Sequence, residues 1–471
     1  MDQPNLAPKT SQNTSPNDST PNLSLPRNVK IGFFHFGSGL ADIIATGIWN
    51  RVMISDLGFA ATPIGLLVAL RYFLAPLGVW AGRISDRHSV LGYRRLFWVW
   101  SGRLMMVLSI VMLGLVTADL ARGVPVDALR WATIIVSLLM FSLGTAFSGG
   151  TFLALVYDRS ALSQRGRAVG IVWTFLLLGY AVGGPLFGIM LPSNGTTAGI
   201  DFAPDTLQAL FIGAALLMGV IWFFSLLGEE KRSASAVAEA ESQPKTTLVG
   251  DLKLAWNNRQ TRLFFWYLAL SMLFAFSQDL ILEPFAGDVF GMEARVTTRF
   301  SGYWGSMAII GSLIVLYLSR RYQWMTNKRL NIWGVVVLVA AFAVFALSSL
   351  AQIRGLVTPG LILLGVGLGV WEIGTLGMMM QMSPAGRAGT FLGFWSLVVT
   401  LARGAGVSAG GVVRDIVLQI SSSLSISYGA VFVIGALGLA ASLWVLTHIA
   451  EQKADEVIAD PETPVLAGAL D

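Results

Sequence analysis

Cysteine is absent from the chain of 471 residues, which excludes disulfide bonds, thiolate metal sites and cysteine nucleophiles. Charge is also scarce, because Asp, Glu, Lys and Arg make up only 13% of the residues, whereas a soluble domain has roughly 25%. The sequence has no nucleotide-binding loop, no His/Cys spacing typical of a metal site and no nucleophile elbow. We therefore expect neither an enzyme nor a metal site.

Apolar residues take the place of the missing charge. They make up 54% of the chain, with 51 glycines and a mean hydropathy of +0.67. One soluble core cannot hold so many apolar side chains, so many of them must face membrane lipid. The formal net charge is +5, but the basic residues are not clustered in one domain. The composition therefore predicts contact with lipid and no binding of nucleic acid.

Twelve apolar runs are long enough to cross a bilayer, which takes about 20 residues per helix. Six precede and six follow a polar linker at residues 229–262. This pattern predicts an all-α membrane protein with the major facilitator fold, in which twelve transmembrane helices form two six-helix halves, residues 29–228 and 263–450. The predicted spans, numbered in chain order, are 30–54, 62–82, 96–117, 130–153, 167–191, 206–227, 263–285, 299–319, 330–350, 357–381, 388–412 and 427–448.

The two ends of the chain, residues 1–28 and 451–471, are predicted to be disordered tails. The first is rich in Asn, Pro, Ser and Thr and lacks the apolar run of a cleaved signal peptide. Basic residues in the loops on the side of the tails outnumber those on the other side by eighteen to six, which predicts that both termini and the linker are cytoplasmic. The eighteen are Arg83, Arg87, Arg94, Arg95, Arg159, Arg165, Arg167, Lys231, Arg232, Lys245, Lys253, Arg259, Arg262, Arg320, Arg321, Lys328, Arg329 and Arg387, and the six are Arg122, Arg130, Arg295, Arg299, Arg354 and Arg414.

An internal repeat supports the division into two halves. The run Gly166–Gly170 leads into the glycine-rich fifth span, and the similar run Gly386–Gly389 leads into the eleventh. Residue 386 follows residue 166 by 220 positions, close to half of the helical region. A parallel duplication of one six-helix unit would give this offset.

A motif in the loop after the second span resembles the cytoplasmic signature of major facilitators. Its acid and bases are expected to form a latch that stabilises one conformational state through charge-assisted contacts. The corresponding loop of the second half, residues 320–329, has no acid, so a plain basic loop is the alternative. The residues of the motif are Gly82, Asp86, Arg87, Gly92, Arg94 and Arg95.

Glycines are concentrated in the fifth and eleventh spans. The spacing of Gly184 and Gly188 predicts that the fifth span packs closely against another helix. With Pro185, these glycines also resemble the signature of antiporters, so proton-coupled efflux is an alternative interpretation.

Ionisable residues inside spans are costly, so each one indicates either a function or a pairing that holds the bundle together. The acids in the first and seventh spans are of most interest, since these spans lead the two halves and line the central cavity of this fold. The alternative is that the arginines simply pair with the acids. The residues are His35, Asp42, Arg51, Arg71, Arg103, Asp279, Glu283, Glu372 and Arg403.

The seventh span carries two carboxylates, Asp279 and Glu283. They are four residues apart, so an unbroken helix would place both on one face. Arg51 is the candidate partner, because the first and seventh spans are related by the symmetry of the halves. Pro284 follows directly and is expected to kink the helix beside the acids, since it frees a main-chain carbonyl.

His35 is the only histidine well inside a span. A neutral imidazole is a good axial ligand for the magnesium of a chlorin, so His35 is a candidate pigment ligand. A contact with a neighbour on its own helix is the alternative.

Three segments resemble one family, the PucC/LhaA-type light-harvesting assembly proteins, which form the bacteriochlorophyll-delivery branch of the major facilitators. They are Trp49–Gly58, residues 70–86 and Gln278–Gly287, and the last is the most specific. The resemblance extends over residues 29–448. This chain departs from the family at Asp56, where Glu is common, at Arg83, which replaces a histidine, and at residues 285–286, where Tyr-Gly is usual.

The resemblance implies delivery or insertion of a chlorophyll-type pigment, without catalysis, while light-harvesting complexes are assembled. The bound ligand would be chlorophyll or bacteriochlorophyll, and the partners would be antenna polypeptides or other photosystem assembly proteins. The protein would lie in a thylakoid or bacterial inner membrane, and Asn50 and Gln278 join the candidate site. The alternative function is proton-coupled transport of a small amphipathic molecule, with Asp42, Asp279, Glu283 or Glu372 as proton carriers.

Overall fold

The computed structural model describes residues 23–160, 164–191, 203–230, 256, 259–322, 324–382 and 388–449, without the side chains of residues 86, 87, 165, 166 and 388–393. The regular elements of this described part are helices, accompanied by one isolated β-bridge between Val90 and Tyr93. The all-α prediction is therefore confirmed. Residues 1–22, 231–255 and 450–471, which contain most of the predicted tails and linker, lie outside the described residues.

The N-terminal half contains six membrane-spanning segments. The first is one long helix, in which α1 (Leu25–Asp42) continues through a π-helical segment (Ile43–Ile48), α2 (Trp49–Arg51) and a second π-helical segment (Val52–Asp56). It begins ahead of the boundary predicted at residue 29. The others are α3 (Ala61–Phe73) with α4 (Pro76–Arg87), α5 (Leu96–Ala121), α6 (Ala128–Arg159), α7 (Arg165–Met190) and α8 (Pro204–Leu226).

The C-terminal half repeats this arrangement. Its first membrane segment, the seventh of the chain, is divided into α9 (Arg259–Ala275) and α10 (Leu282–Phe290). The short α11 (Ala294–Thr297) leads into α12 (Phe300–Arg321), which is followed by α13 (Asn327–Leu350), α14 (Val357–Gln381), α15 (Ala388–Ser421) and α16 (Leu424–Thr447).

Eleven of the described helical segments are long and apolar enough to cross a membrane. The seventh predicted span is the exception, because each of its two pieces is too short to be counted alone. On the outside of the bundle, large apolar side chains such as Leu104, Leu108 and Leu115 of α5 are exposed. Such side chains suit lipid rather than water.

The two halves meet mainly through α3 with α15 and α7 with α12. The predicted close approach of the fifth span is confirmed, because a Cβ atom on Gly184 would lie 2.8 Å from the carbonyl oxygen of Thr298. A Cβ on Gly188 would lie 3.0 Å from the carbonyl oxygen of Arg295. In both places α7 packs directly on the main chain of the eighth span and the turn before it.

We call the end of the bundle where α1 begins and α16 ends the terminal face, and the other end the opposite face. The described contacts between the halves lie from the middle of the bundle to the opposite face. They include Tyr180 on Trp304 at mid-depth and Thr62 on Asp415 at the opposite face. The halves are therefore joined at the opposite face in this conformation.

Candidate binding site between the two halves

The seventh span is interrupted where the sequence places its polar residues. Between α9 and α10, residues 276–281 form turns instead of a helix. The main-chain N–H of Asp279 donates to the carbonyl of Phe276 at 3.2 Å, and that of Leu282 donates to the carbonyl of Gln278 at 3.0 Å. The break therefore holds polar side chains and irregular main chain deep in the bundle, and irregular backbone at membrane depth is tolerated only inside protein or beside a cavity.

This break corrects two predictions. Asp279 and Glu283 do not share one face of a continuous helix, because Asp279 lies in the turns and Glu283 in the first turn of α10. Pro284 does not kink an unbroken helix either. It is the third residue of α10, where the main-chain N–H has no partner within a helix, so proline fits there without loss of a hydrogen bond.

A first polar network connects three spans of the N-terminal half. The carboxylate of Asp42 accepts a hydrogen bond from Arg71 Nη1 at 2.6 Å and another from the Tyr180 hydroxyl at 2.6 Å. Arg71 Nη2 donates to the Tyr72 hydroxyl oxygen at 2.6 Å. Each charge therefore has an opposite charge and further hydrogen bonds, which is what a buried pair needs to be tolerated. The expectation that arginines pair with the acids is confirmed for Arg71.

A second network lies in the C-terminal half and touches the first. Arg403 Nη2 donates to Asp279 at 2.9 Å, and Gln278 Nε2 donates to the same carboxylate at 2.8 Å. The Arg403 guanidinium lies 4.0 Å from the ring centre of Phe276 and 5.3 Å from that of Tyr72. Tyr72 thus contacts the arginines of both networks, and one chain of polar contacts crosses the boundary between the halves.

Two candidate residues lie beside these networks. Glu372 on α14 is exposed, and Arg403 is the charged side chain that interacts with it electrostatically. Asn50 is fully buried, and both polar atoms of its amide lack a hydrogen-bond partner in the described part of the chain. An unpaired buried amide is costly, so the site favours a water molecule or a polar ligand group beside Asn50.

Arg51 does not pair with the acids of the seventh span. Its Nη1 binds Asp56 at 2.5 Å and its Nη2 donates to the carbonyl oxygen of Met292 at 3.0 Å. The guanidinium rests on Gly287, where any Cβ atom would overlap it. The predicted ion pair with Asp279 and Glu283 is therefore wrong, and Arg51 instead connects the first span to the end of the seventh near the opposite face.

Arg103 has no acidic partner among the described residues. Its guanidinium lies between two rings, 4.3 Å from the centre of Phe34 and 4.6 Å from that of Trp222. Its Nη1 is 3.3 Å from the sulfur of Met106. The alternative in which this arginine pairs with an acid is therefore not observed, and cation–π contacts take the place of the ion pair.

His35 lies seven residues before Asp42 on α1, so the two side chains point to the same side of the helix, two turns apart. Its Nδ1 is 3.4 Å from the Ser38 hydroxyl. The rings of Phe152 and Trp173 lie 4.9 and 5.6 Å from the imidazole. Among the described contacts, Nε2 has no hydrogen bond. His35 therefore contacts a neighbour on its own helix, Ser38, through Nδ1. Its other ring nitrogen, Nε2, remains for a ligand.

The predicted latch lies at the terminal face, where part of it is described. Arg95 donates to Asp158 at 3.1 Å and to the Ser85 hydroxyl at 2.7 Å. The carboxylate of Glu230 accepts the main-chain N–H groups of Arg94 and Arg95 at the start of α5. Gly82 lies within α4 with open space beside it. The side chains of residues 86 and 87 lie outside the described residues, so the latch stays a prediction.

The sequence analysis missed a charged cluster at the opposite face. Arg414 binds Asp288 at 3.1 Å and Asp415 at 2.9 Å, and the Tyr428 hydroxyl donates to Asp288 at 2.6 Å. The Asp415 carboxylate also accepts the main-chain N–H groups that begin α3, across the boundary between the halves. A cavity of about 420 Å³ lies beside the cluster. The signal was available, because these acids lie in the last turns of apolar helices.

A family model described as PUCC protein matches residues 48–454 of the chain. Protein PucC of Rhodovulum sulfidophilum is 30% identical over 419 residues, which cover 86% of this chain and 88% of the relative. A protein of Rhodobacter capsulatus named bacteriochlorophyll synthase 44.5 kDa chain is 29% identical over 424 residues, 87% of this chain and 93% of the relative.

Solved transporters share the fold. A POT family transporter in complex with 5-aminolevulinic acid superposes with a TM-score of 0.66 at 11% identity, over 92% of this chain and 99% of the transporter. The nucleoside transporter NupG gives 0.59 at 17% identity, over 90% of this chain and 99% of NupG. These similarities establish the major facilitator fold. The chain is thus a multi-pass membrane protein that belongs to the PucC family.

Proposed function

We propose that this protein binds a bacteriochlorophyll- or chlorophyll-type pigment between its two halves and delivers it to light-harvesting polypeptides during antenna assembly, without catalysis. The observation that carries the proposal is the similarity, over most of both chains, to PucC proteins and to a protein named as a bacteriochlorophyll synthase chain. The relatives come from photosynthetic bacteria, so the membrane would be a photosynthetic one, with both termini on the cytoplasmic side.

The surroundings of His35 suit a chlorin. A neutral imidazole has one nitrogen to bind a metal and one to be held by a hydrogen bond, and Nδ1 of His35 lies 3.4 Å from Ser38 while Nε2 has no described partner. The rings of Phe152 and Trp173 offer flat apolar surfaces beside it. Asp42 and Arg71 lie two turns deeper, roughly 10 Å along the helix axis, where they suit the polar groups of such a ligand.

Purification in mild detergent followed by an absorption spectrum tests this function. We expect the parent protein to copurify with a chlorin and with antenna polypeptides. His35→Phe keeps a ring but removes both nitrogens, so we expect the loss of most of the bound pigment at unchanged protein yield. His448→Phe is the matched control, because His448 is an exposed histidine at the end of α16 that bonds to Trp444, and it should keep the pigment. A colourless parent protein without antenna partners would contradict the proposal.

Proton-coupled transport of a small amphipathic molecule is the second candidate. It is favoured by the carboxylates among the residues of the two networks and by the exposed Glu372. Uptake into proteoliposomes that depends on an imposed pH gradient, by a protein that purifies without pigment or partners, would support it.

A further inference from the structure

We propose that Glu283 is a proton-binding site, and that proton binding there favours closure of the opposite face. The proposal does not depend on which molecule the protein carries. It concerns the joint between the first and seventh spans, which belong to different halves and must separate if the opposite face opens. A proton site in that joint would make the conformation of the protein sensitive to pH.

Glu283 differs from Asp42, Asp279 and Glu372, the other acids that the sequence analysis places inside spans. Asp42 is bound to Arg71, and Asp279 is bound to Arg403, so each has a cation that balances its charge. Glu372 is exposed, so other side chains do not enclose it. Glu283 is only 7% exposed, and within the described part of the chain it forms no ion pair and accepts no hydrogen bond from another side chain.

The first span passes close to the Glu283 carboxylate, which accepts a hydrogen bond from the main-chain N–H of Glu283 itself. Its Oε1 lies 3.8 Å from the position that a Cβ would take on Gly47, which belongs to the π-helical segment of the first span. Two charged groups influence it electrostatically, Asp279 of its own span and Arg51 of the first span. Arg51 is already bound to Asp56, so the nearest cation is engaged elsewhere. π-helical segments are frequent at functional sites.

Burial and the local charges act in opposite directions on this carboxylate. The first turn of α10 and Arg51 favour the charged form, while burial and the negative charge of Asp279 favour the protonated form. A nine-residue helix and an arginine that is bound elsewhere offset only part of the cost of burying an unpaired carboxylate. We therefore infer that the closed conformation holds Glu283 with its proton.

Opening of the opposite face changes this balance. Separation of the first span from α10 would expose the carboxylate to water, where the charged form is stable. Because the closed state binds the proton more tightly than the open state, acid must favour the closed state and alkali the open state. The same linkage predicts that a neutral side chain of the same shape keeps the face closed at every pH.

Distance measurements between the halves test the proposal directly, without any assay of cargo. The chain has no native cysteine, so spin labels can be attached at Ala60→Cys and Gln419→Cys, two exposed positions that line the opposite-face cavity from different halves. In lipid nanodiscs, we expect the distance between the labels to lengthen from acidic to alkaline pH in the parent. Glu283→Gln should lose this shift and keep the short distance throughout.

Asp205→Asn is the control, because the Asp205 side chain is 89% exposed, so this variant should leave the pH-dependent shift intact. An infrared difference spectrum between the two pH values provides an independent readout, since the parent should show a protonated carboxyl band that Glu283→Gln lacks. A pH-dependent shift that persists in Glu283→Gln would overturn the proposal. A parent protein whose label distance and carboxyl band do not respond to pH would also overturn it. If Glu283→Gln does not fold, the pH response of the parent's carboxyl band decides the question.

Discussion

Asp415 is the contact whose loss should open the opposite face. Its carboxylate accepts the main-chain N–H groups of Ala61 and Thr62 at 3.1 and 2.7 Å. These groups begin α3 in the N-terminal half, whereas Asp415 belongs to α15 in the C-terminal half. The carboxylate therefore caps a helix of the other half, where the helix dipole favours negative charge.

The size of the effect follows from the type of contact. A hydrogen bond to a charged group contributes about 1.5–3 kcal/mol, and loss of a helix N-cap costs about 0.5–2 kcal/mol. The two values describe the same contact and are not added. The Asp415 side chain is only 12% exposed, so solvent screens it weakly. With about 2 kcal/mol for the whole contact, Asp415→Ala should shift the equilibrium toward the open state roughly 30-fold. Asp415→Asn keeps one acceptor and should shift it less.

The assay is the distance between labels at Ala60→Cys and Gln419→Cys at a fixed acidic pH. The population of the longer distance should rise in Asp415→Ala. Asp127→Ala is the control, because Asp127 also caps a helix, by accepting the N–H of Arg130 at 2.8 Å, but the contact stays within one half. Equal distance distributions for Asp415→Ala and the parent would refute the reasoning, as would an equal shift in Asp127→Ala.

Three further predictions test packing, the polar network and topology. Gly410→Leu should destabilise the protein by about 1–3 kcal/mol, because a Cβ there overlaps a carbonyl oxygen of the seventh span. Thermal unfolding in detergent should show a lower unfolding temperature for this variant. Gly170→Leu is its control, because the new side chain enters open space and should not lower the unfolding temperature. Tyr180→Phe removes the hydrogen bond to Asp42 and should cost roughly 1 kcal/mol in the same measurement, and an unchanged unfolding temperature would contradict the role given to that bond. Reporter fusions at both termini should give a cytoplasmic signal, and a signal from the other side would overturn the orientation.

The helices could be predicted from the sequence because each membrane crossing needs its own long apolar run. That requirement is local, so the eleven continuous spans lie where they were predicted, although the eleventh extends to Ser421, nine residues beyond its predicted end at 412. The break in the seventh span could not be predicted in the same way. Residues 276–281 read as a continuation of an apolar helix, and only packing inside the bundle can satisfy an irregular main chain at that depth.

The candidate site could be predicted only in its residue types. Charged side chains inside spans were recognised because lipid does not tolerate them unpaired, and Asp42 with Arg71 pairs as this argument requires. The tyrosines that complete the network, Tyr72 and Tyr180, were missed, since a tyrosine in an apolar helix is unremarkable in sequence. Their hydroxyl groups matter only because the fold places them on the carboxylate and the guanidinium.

The pairing of Arg51 with Asp56 shows how helix type decides which charges meet. Five residues apart on a regular α-helix, the two side chains would point about 140° away from each other, so their spacing did not predict a pair. Residues 52–56 are π-helical, however, and the main-chain N–H of Leu57 donates to the carbonyl of Val52, five positions back. This wider turn brings side chains five apart onto one face. Arg51 is therefore engaged within its own span, and Glu283 is left without a bound cation across the joint between the halves.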